Sequence, residues 1–272
     1  MFLEIESVFI RFLRLTICLS YALTATLVNA KETDHWRDRQ YIYDSFLKIA
    51  LQREYETSVE PRLVRWTKPI LVYFESELGD SKLQARLLSV HAQHLSQITG
   101  VPIYFSSTPS DANIIVSFTS RENLESKVRR YIGNPETIRA ALDEAICLGN
   151  FGVSKQGEIQ RGVILIPVNY ARQNARLLDC IVEEITQLLG LPNDSDEVYP
   201  SIFNDVSSDI YLSPLDYILL KMLYSPRLHA GMSLAEVEQA LPAVIDDLYY
   251  LKIIDNAATD VQEGSLKRFL GD

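Results

Sequence analysis

The chain has 272 residues, 47% of them hydrophobic and 23% charged, with 11 glycines, 11 prolines and a formal net charge of -10. That balance excludes a disordered, collagen-like or coiled-coil chain, and a chain of this length needs no dense disulfide or metal stapling. Thirty-six acidic against 26 basic residues argue against nucleic acid and against a general affinity for anionic lipid, because both need clustered positive charge.

Arg11 and Arg14 precede an apolar run from Leu15 to Val28, which closes on Val28-Asn29-Ala30 before a polar stretch. This is the order of a secretory signal, and the run is shorter than the ~20 residues a membrane helix needs. Residues 1–30 are therefore expected to be a signal peptide cleaved after Ala30, giving a secreted or periplasmic protein that meets the membrane only through that segment. An uncleaved anchor and a buried core helix are the alternatives. Lipidation at Cys18 is disfavoured because Ile17 is not small. Cleavage leaves Cys147 and Cys180 as the remaining cysteines, and an even count in an exported protein favours a disulfide over two buried thiols.

Residues 31–65 read as a helical extension, with Ile42, Phe46, Ile49 and Ala50 at helical spacing and a break at Glu60-Pro61. Residues 66–254 read as one domain and 255–272 as a tail. Pro69 to Phe74 is a strand, Ser81 to Thr99 a helix closed by Gly100, and Val101 to Phe105 and Asn113 to Phe118 are two more strands. A helix from Asn134-Pro135-Glu136 is expected to end near Cys147-Leu148-Gly149, followed by the strand Gly162 to Val168. From Ala171 a helix runs to Leu189 and stops at Gly190-Leu191-Pro192. Capping boxes at Ser213-Pro214-Leu215-Asp216 and Ser233-Leu234-Ala235-Glu236 start two later helices. The order of elements predicts an α/β fold.

The chemistry concentrates in Cys180 to Asp194. Zinc proteases place His-Glu-x-x-His on a helix because residues four apart share a face, so both imidazoles reach one metal while the Glu activates its water. A glycine turn then delivers a third ligand. Here Glu183 and Gln187 stand at the two histidine positions, Glu184 matches the general base, Gly190 matches the turn glycine and Asn193 falls at the third ligand. This segment, with Phe203-Asn204-Asp205, Leu212 to Asp216 and Leu223 to Leu228, resembles the proteobacterial secreted family catalogued as domain of unknown function 2927, over roughly Trp66 to Tyr249. The resemblance implies a zincin-like, metzincin-like three-layer fold with a mixed sheet, a pseudo-active-site helix and a helical C-terminal part. It also implies that the strand Val163 to Val168 lies beside the cleft and pairs with extended ligands.

Loss of the imidazoles removes the donors zinc favours, so no cofactor is expected; calcium on Glu183 with Asp194 or Asp196 is a weaker candidate. The expected function is non-catalytic binding of a peptide, a glycan or an envelope protein in a groove lined by Glu183, Gln187, Asn193 and Asp194. An atypical metal-dependent hydrolase with Glu184 as general base is the alternative. His91 and His94 are expected to face solvent. His229 has no recognisable partner, and the adjacent acids Asp143-Glu144 and Asp246-Asp247 read as solvated charge. The chain has no serine-hydrolase elbow, Walker loop or dinucleotide fingerprint.

Overall fold

The computed structural model describes residues 35–51, 60–207 and 209–272; the expected signal peptide lies outside them. Five strands form one mixed sheet: β1 (Ile70–Ser76), β2 (Ile103–Ser106), β3 (Ile114–Thr119), β4 (Leu148–Val153) and β5 (Ile159–Pro167), in the order β2-β1-β3-β5-β4. β1, β2, β3 and β5 run parallel, and β4 pairs antiparallel with β5 at one edge. The fold is α/β, as the element order predicts.

β5 is buried at Ile159 and throughout Gly162 to Pro167, with Gln160 and Arg161 exposed, the near-continuous apolar run of a strand covered on both faces. One face carries α2 (Ser81–Thr99) and α6 (Leu177–Gln187). The other carries α3 (Leu124–Tyr131) and α4 (Arg139–Glu144), where Leu124, Val128 and Leu142 close a small core on Val163 and Leu165. α2 begins because the Asp80 carboxylate accepts from the Lys82 and Leu83 amides, and it ends at Gly100 in the left-handed region.

Behind α2 and α6 lies a helical layer: α1 (Arg39–Leu51), α7 (Pro214–Leu223), α8 (Leu234–Tyr250), α9 (Ile253–Asp260) and α10 (Leu266–Leu270). α7 and α8 start at the two expected capping boxes, each with both reciprocal bonds formed. Ile42, Phe46 and Ile49 of α1 are fully buried in the main core. The segment 255–272, read as a tail, holds most of α9 and all of α10, and buries Ala257, Val261 and Leu266 in the same core. Among the described residues no helix is long and apolar enough to cross a membrane.

Three local expectations are corrected. The helix expected to reach Cys147 stops at Glu144, and Leu148–Val153 is a strand. The helix expected over Ala171 to Leu189 is two, α5 (Val168–Gln173) and α6, broken where Ala175 takes φ 57°. His91 and His94 are buried, not solvent-facing. α2 lies against α6, so His91 Nε2 meets Val182 O at 3.0 Å and Thr186 Oγ1 at 3.1 Å. α10 packs on α2 and completes the cover around His94. Burial pushes His91 down to about 3 and His94 to about 4, so both are neutral near pH 7.

Candidate active-site cleft

α6 presents its polar face to a cleft of about 560 Å³ between itself and β4. Side chains alternate along β4: Leu148 joins the small core, while Cys147, Gly149 and Phe151 turn toward α6. Cys147 is bonded there to Cys180 on α6. The expected disulfide is present, and it ties the segment entering β4 to the helix that carries the glutamates.

Gly149 is required by contact, not by a turn. A Cβ on it would lie 2.3 Å from Glu184 Oε2 and 3.1 Å from Leu188 Cδ1. Glu184, only 7% exposed, is thus held between β4 and α6 with its carboxylate on the cleft wall. Glu183, one residue earlier, opens further into the same cleft.

Glu183 sits in an unusual field. Burial, followed by the charges of Glu184, Asp194 and Asp205, pushes its carboxyl up to about 9, against the opposing pull of Arg176. The Arg176 guanidinium is 3.8 Å from Glu183 Oε2 and closer, at 2.8 Å, to Asp179 Oδ2. Glu183 therefore holds a proton near pH 7. The cleft accumulates carboxylates faster than it supplies cations.

Two loops bring the remaining acids. After α6 the chain turns at Gly190, whose φ is 116° and where a Cβ would come within 2.1 Å of Val64 O. The last carbonyls of this turn are capped from below: Trp66 Nε1 donates to Leu188 O and the Tyr224 hydroxyl to Leu189 O, each at 2.8 Å. Asp194 then returns to the cleft, accepting from Gln187 Nε2 at 2.8 and 3.0 Å. Asp205 arrives on the loop before α7. Asn204 Nδ2 folds that loop by donating to Asp196 O and Val198 O. The buried Asp216 anchors it, accepting from Ser201 Oγ, Ile202 N and Ser213 N. Burial still raises Asp216 to about 6, despite these three donors.

Glu183, Glu184, Gln187 and Asp194 thus line one cleft. Asn193 does not join them. It is buried away from the cleft, with Nδ2 donating to Lys48 O and Asp194 O and its amide to Ile49 O, so it docks the end of α1. The residue after the expected third-ligand position is the one that turns inward. The strand Val163 to Val168 is also misplaced by the resemblance: β5 lies between β3 and β4, with both edges paired. Among the described residues, the unpaired edge beside the cleft belongs to β4. Sequence reasoning overlooked Arg176 and Gly149 as site residues, and Asp205 was visible only as part of Phe203-Asn204-Asp205.

The donor set does not fit zinc. There is no imidazole, Gln187 is committed to Asp194, and Asn193 points elsewhere. Among the described residues no group of three or more His, Cys, Asp or Glu is arranged to hold a metal ion.

No curated protein matches the chain. Residues 39–243 match the family described as "Protein of unknown function (DUF2927)"; with three-quarters of its length inside that match, the chain belongs to this family.

Proposed function

We propose that the chain is an exported, zincin-like protein that binds an extended peptide along β4 without cleaving it, seating a basic side chain against the carboxylates of the cleft. The observation that carries this reading is the antiparallel edge strand β4 running beside Glu183, Glu184, Asp194 and Asp205. A strand edge offers N–H and C=O groups at the spacing of another strand, which favours peptide over glycan. The surplus of carboxylates favours a cation, and its arrival displaces the proton held on Glu183. The signal-like residues 1–30 support export, as does the Cys147–Cys180 disulfide, since such bonds persist in oxidising compartments. The mixed sheet, with its antiparallel edge strand beside a helix bearing the Glu183-Glu184 pair, supports the zincin-like likeness.

Isothermal titration with a pentapeptide alternating valine and alanine around a central lysine tests the reading. Binding should exceed that of the glutamate-centred peptide by at least about tenfold, or ~1.4 kcal/mol, and should release close to one proton at pH 7. Equal affinities, or no binding of either peptide, would reject it. The hydrolase alternative rests on the Glu184 carboxylate at the cleft wall. Mass spectrometry of the peptide incubated with the protein and added Zn²⁺ separates the two: the binding reading predicts an intact peptide, and cleavage abolished by Glu184→Gln would replace it with the hydrolase.

A further inference from the structure

Among the described residues no strand pairs with the opposite edge of the sheet. Edge strands are normally guarded by charge, proline or a covering element, because their open backbone recruits other strands. β2 is the outer strand, and residues 87–110 contain no Asp, Glu, Lys or Arg, in a chain that is 23% charged. Two aromatic side chains stand out from it, Tyr104 at 59% and Phe105 at 45% exposure.

The backbone has a defined polarity. Pro102 O accepts from Ile70 N at 2.8 Å, so the Pro102 carbonyl faces β1. Because backbone polar groups alternate along a strand, Tyr104 also faces β1, while the N–H and C=O of Ile103 and Phe105 point outward. Among the described residues neither has a backbone partner across that edge.

We propose that β2 is a self-association surface, on which a second copy of this chain pairs antiparallel about a two-fold axis at Tyr104. Ile103 of one copy then exchanges both backbone hydrogen bonds with Phe105 of the other, and the reverse, four bonds in all. The two Tyr104 rings meet as the close, non-hydrogen-bonded pair at the axis. A two-fold contact places the same patch on both sides. For chains that each carry a net charge of -10, a charge-free edge is where two copies meet with least repulsion. The occupant is therefore a second copy, not an acidic or basic partner. β4 is left free for its own ligand, so this surface stands or falls independently of the cleft.

Sedimentation equilibrium of the full protein over a wide concentration range tests the assignment. A reversible dimer is expected, tightened by added salt because salt screens the remaining repulsion between like-charged copies. Tyr104→Lys sets like charges face to face at the axis and should weaken the dimer at least about tenfold with the circular dichroism unchanged. Phe105→Pro removes an outward donor while sparing the bonds to β1, and should weaken it too. Tyr104→Cys should give an intermolecular disulfide on mild oxidation, since the Cα atoms of such a pair lie about 4.5 Å apart. A protein monomeric at every concentration, or a dimer indifferent to both Tyr104→Lys and Phe105→Pro, would overturn the assignment.

Discussion

Replacing Glu183 with Gln should make the protein more stable at high pH and leave it nearly unchanged at low pH. The Glu183 side chain is 15% exposed, and its carboxyl is raised from 4.5 to about 9 in the fold. A carboxyl whose folded value is raised binds its proton more tightly in the folded than in the unfolded state. Its contribution is complete below pH 4.5 and is lost as pH rises toward 9. The slope inside that window is at most about 1.4 kcal/mol per pH unit, so pH 5 to pH 8 spans up to about 4 kcal/mol. Arg176 and the coupled acids Glu184, Asp194 and Asp205 spread the proton over the cluster, which brings the expected change to about 2 to 4 kcal/mol. Glutamine keeps the shape of the protonated acid and does not titrate. Urea unfolding of both proteins at pH 5, 6.5 and 8 should show the stability difference, variant minus parent, growing by that amount. Parallel profiles, or a variant less stable at pH 8, would refute the reasoning about the cleft's electrostatics.

Replacing Cys147 and Cys180 together with Ser should cost about 3 to 4 kcal/mol in unfolding free energy, from the chain-entropy model and a sequence separation of 33; an undiminished urea midpoint would count against it. Gly190→Ala should destabilise by roughly 3 kcal/mol, because φ is 116° and the Cβ would meet Val64 O at 2.1 Å. Gly100→Ala, with φ 75° but open space around its Cβ, should cost only about 1 kcal/mol, and equal losses would show that backbone approach is not the cause. His91 and His94, lowered to about 3 and about 4, oppose the Glu183 trend: their stabilisation is complete above pH 6.5 and is lost as pH falls through those values. His91→Gln should flatten the acid limb of the stability profile between pH 4 and 6.5, and an unchanged limb would place the acid sensitivity elsewhere.

Where local chemistry and tertiary demand coincide, the sequence is readable. Asp80 and Gly100 bracket α2, Ser213 and Ser233 open α7 and α8 with complete capping boxes, and Cys147 meets Cys180. Where tertiary contacts override local preference, it misleads. Leu148-Gly149-Asn150-Phe151-Gly152 has poor strand propensity, yet it forms β4 because β5 offers a pairing edge and Gly149 must admit Glu184. The polar exterior expected for His91 and His94 fails because α6 and α10 cover α2 from two sides. At the candidate site the helical period puts Glu183 and Gln187 on one face, and both line the cleft. The loop beyond Gly190 carries no period, so nothing in the sequence distinguishes Asn193, which docks α1, from Asp194, which enters the cleft.

Amide hydrogen exchange of the protein with and without the lysine-centred pentapeptide bears most directly on the central claim, that the β4 edge and the acidic cleft form one peptide-binding site. Slowed exchange within Leu148–Val153 that is lost with the glutamate-centred peptide is the predicted result. Protection confined to other elements, or none at peptide concentrations that saturate binding, would contradict the account.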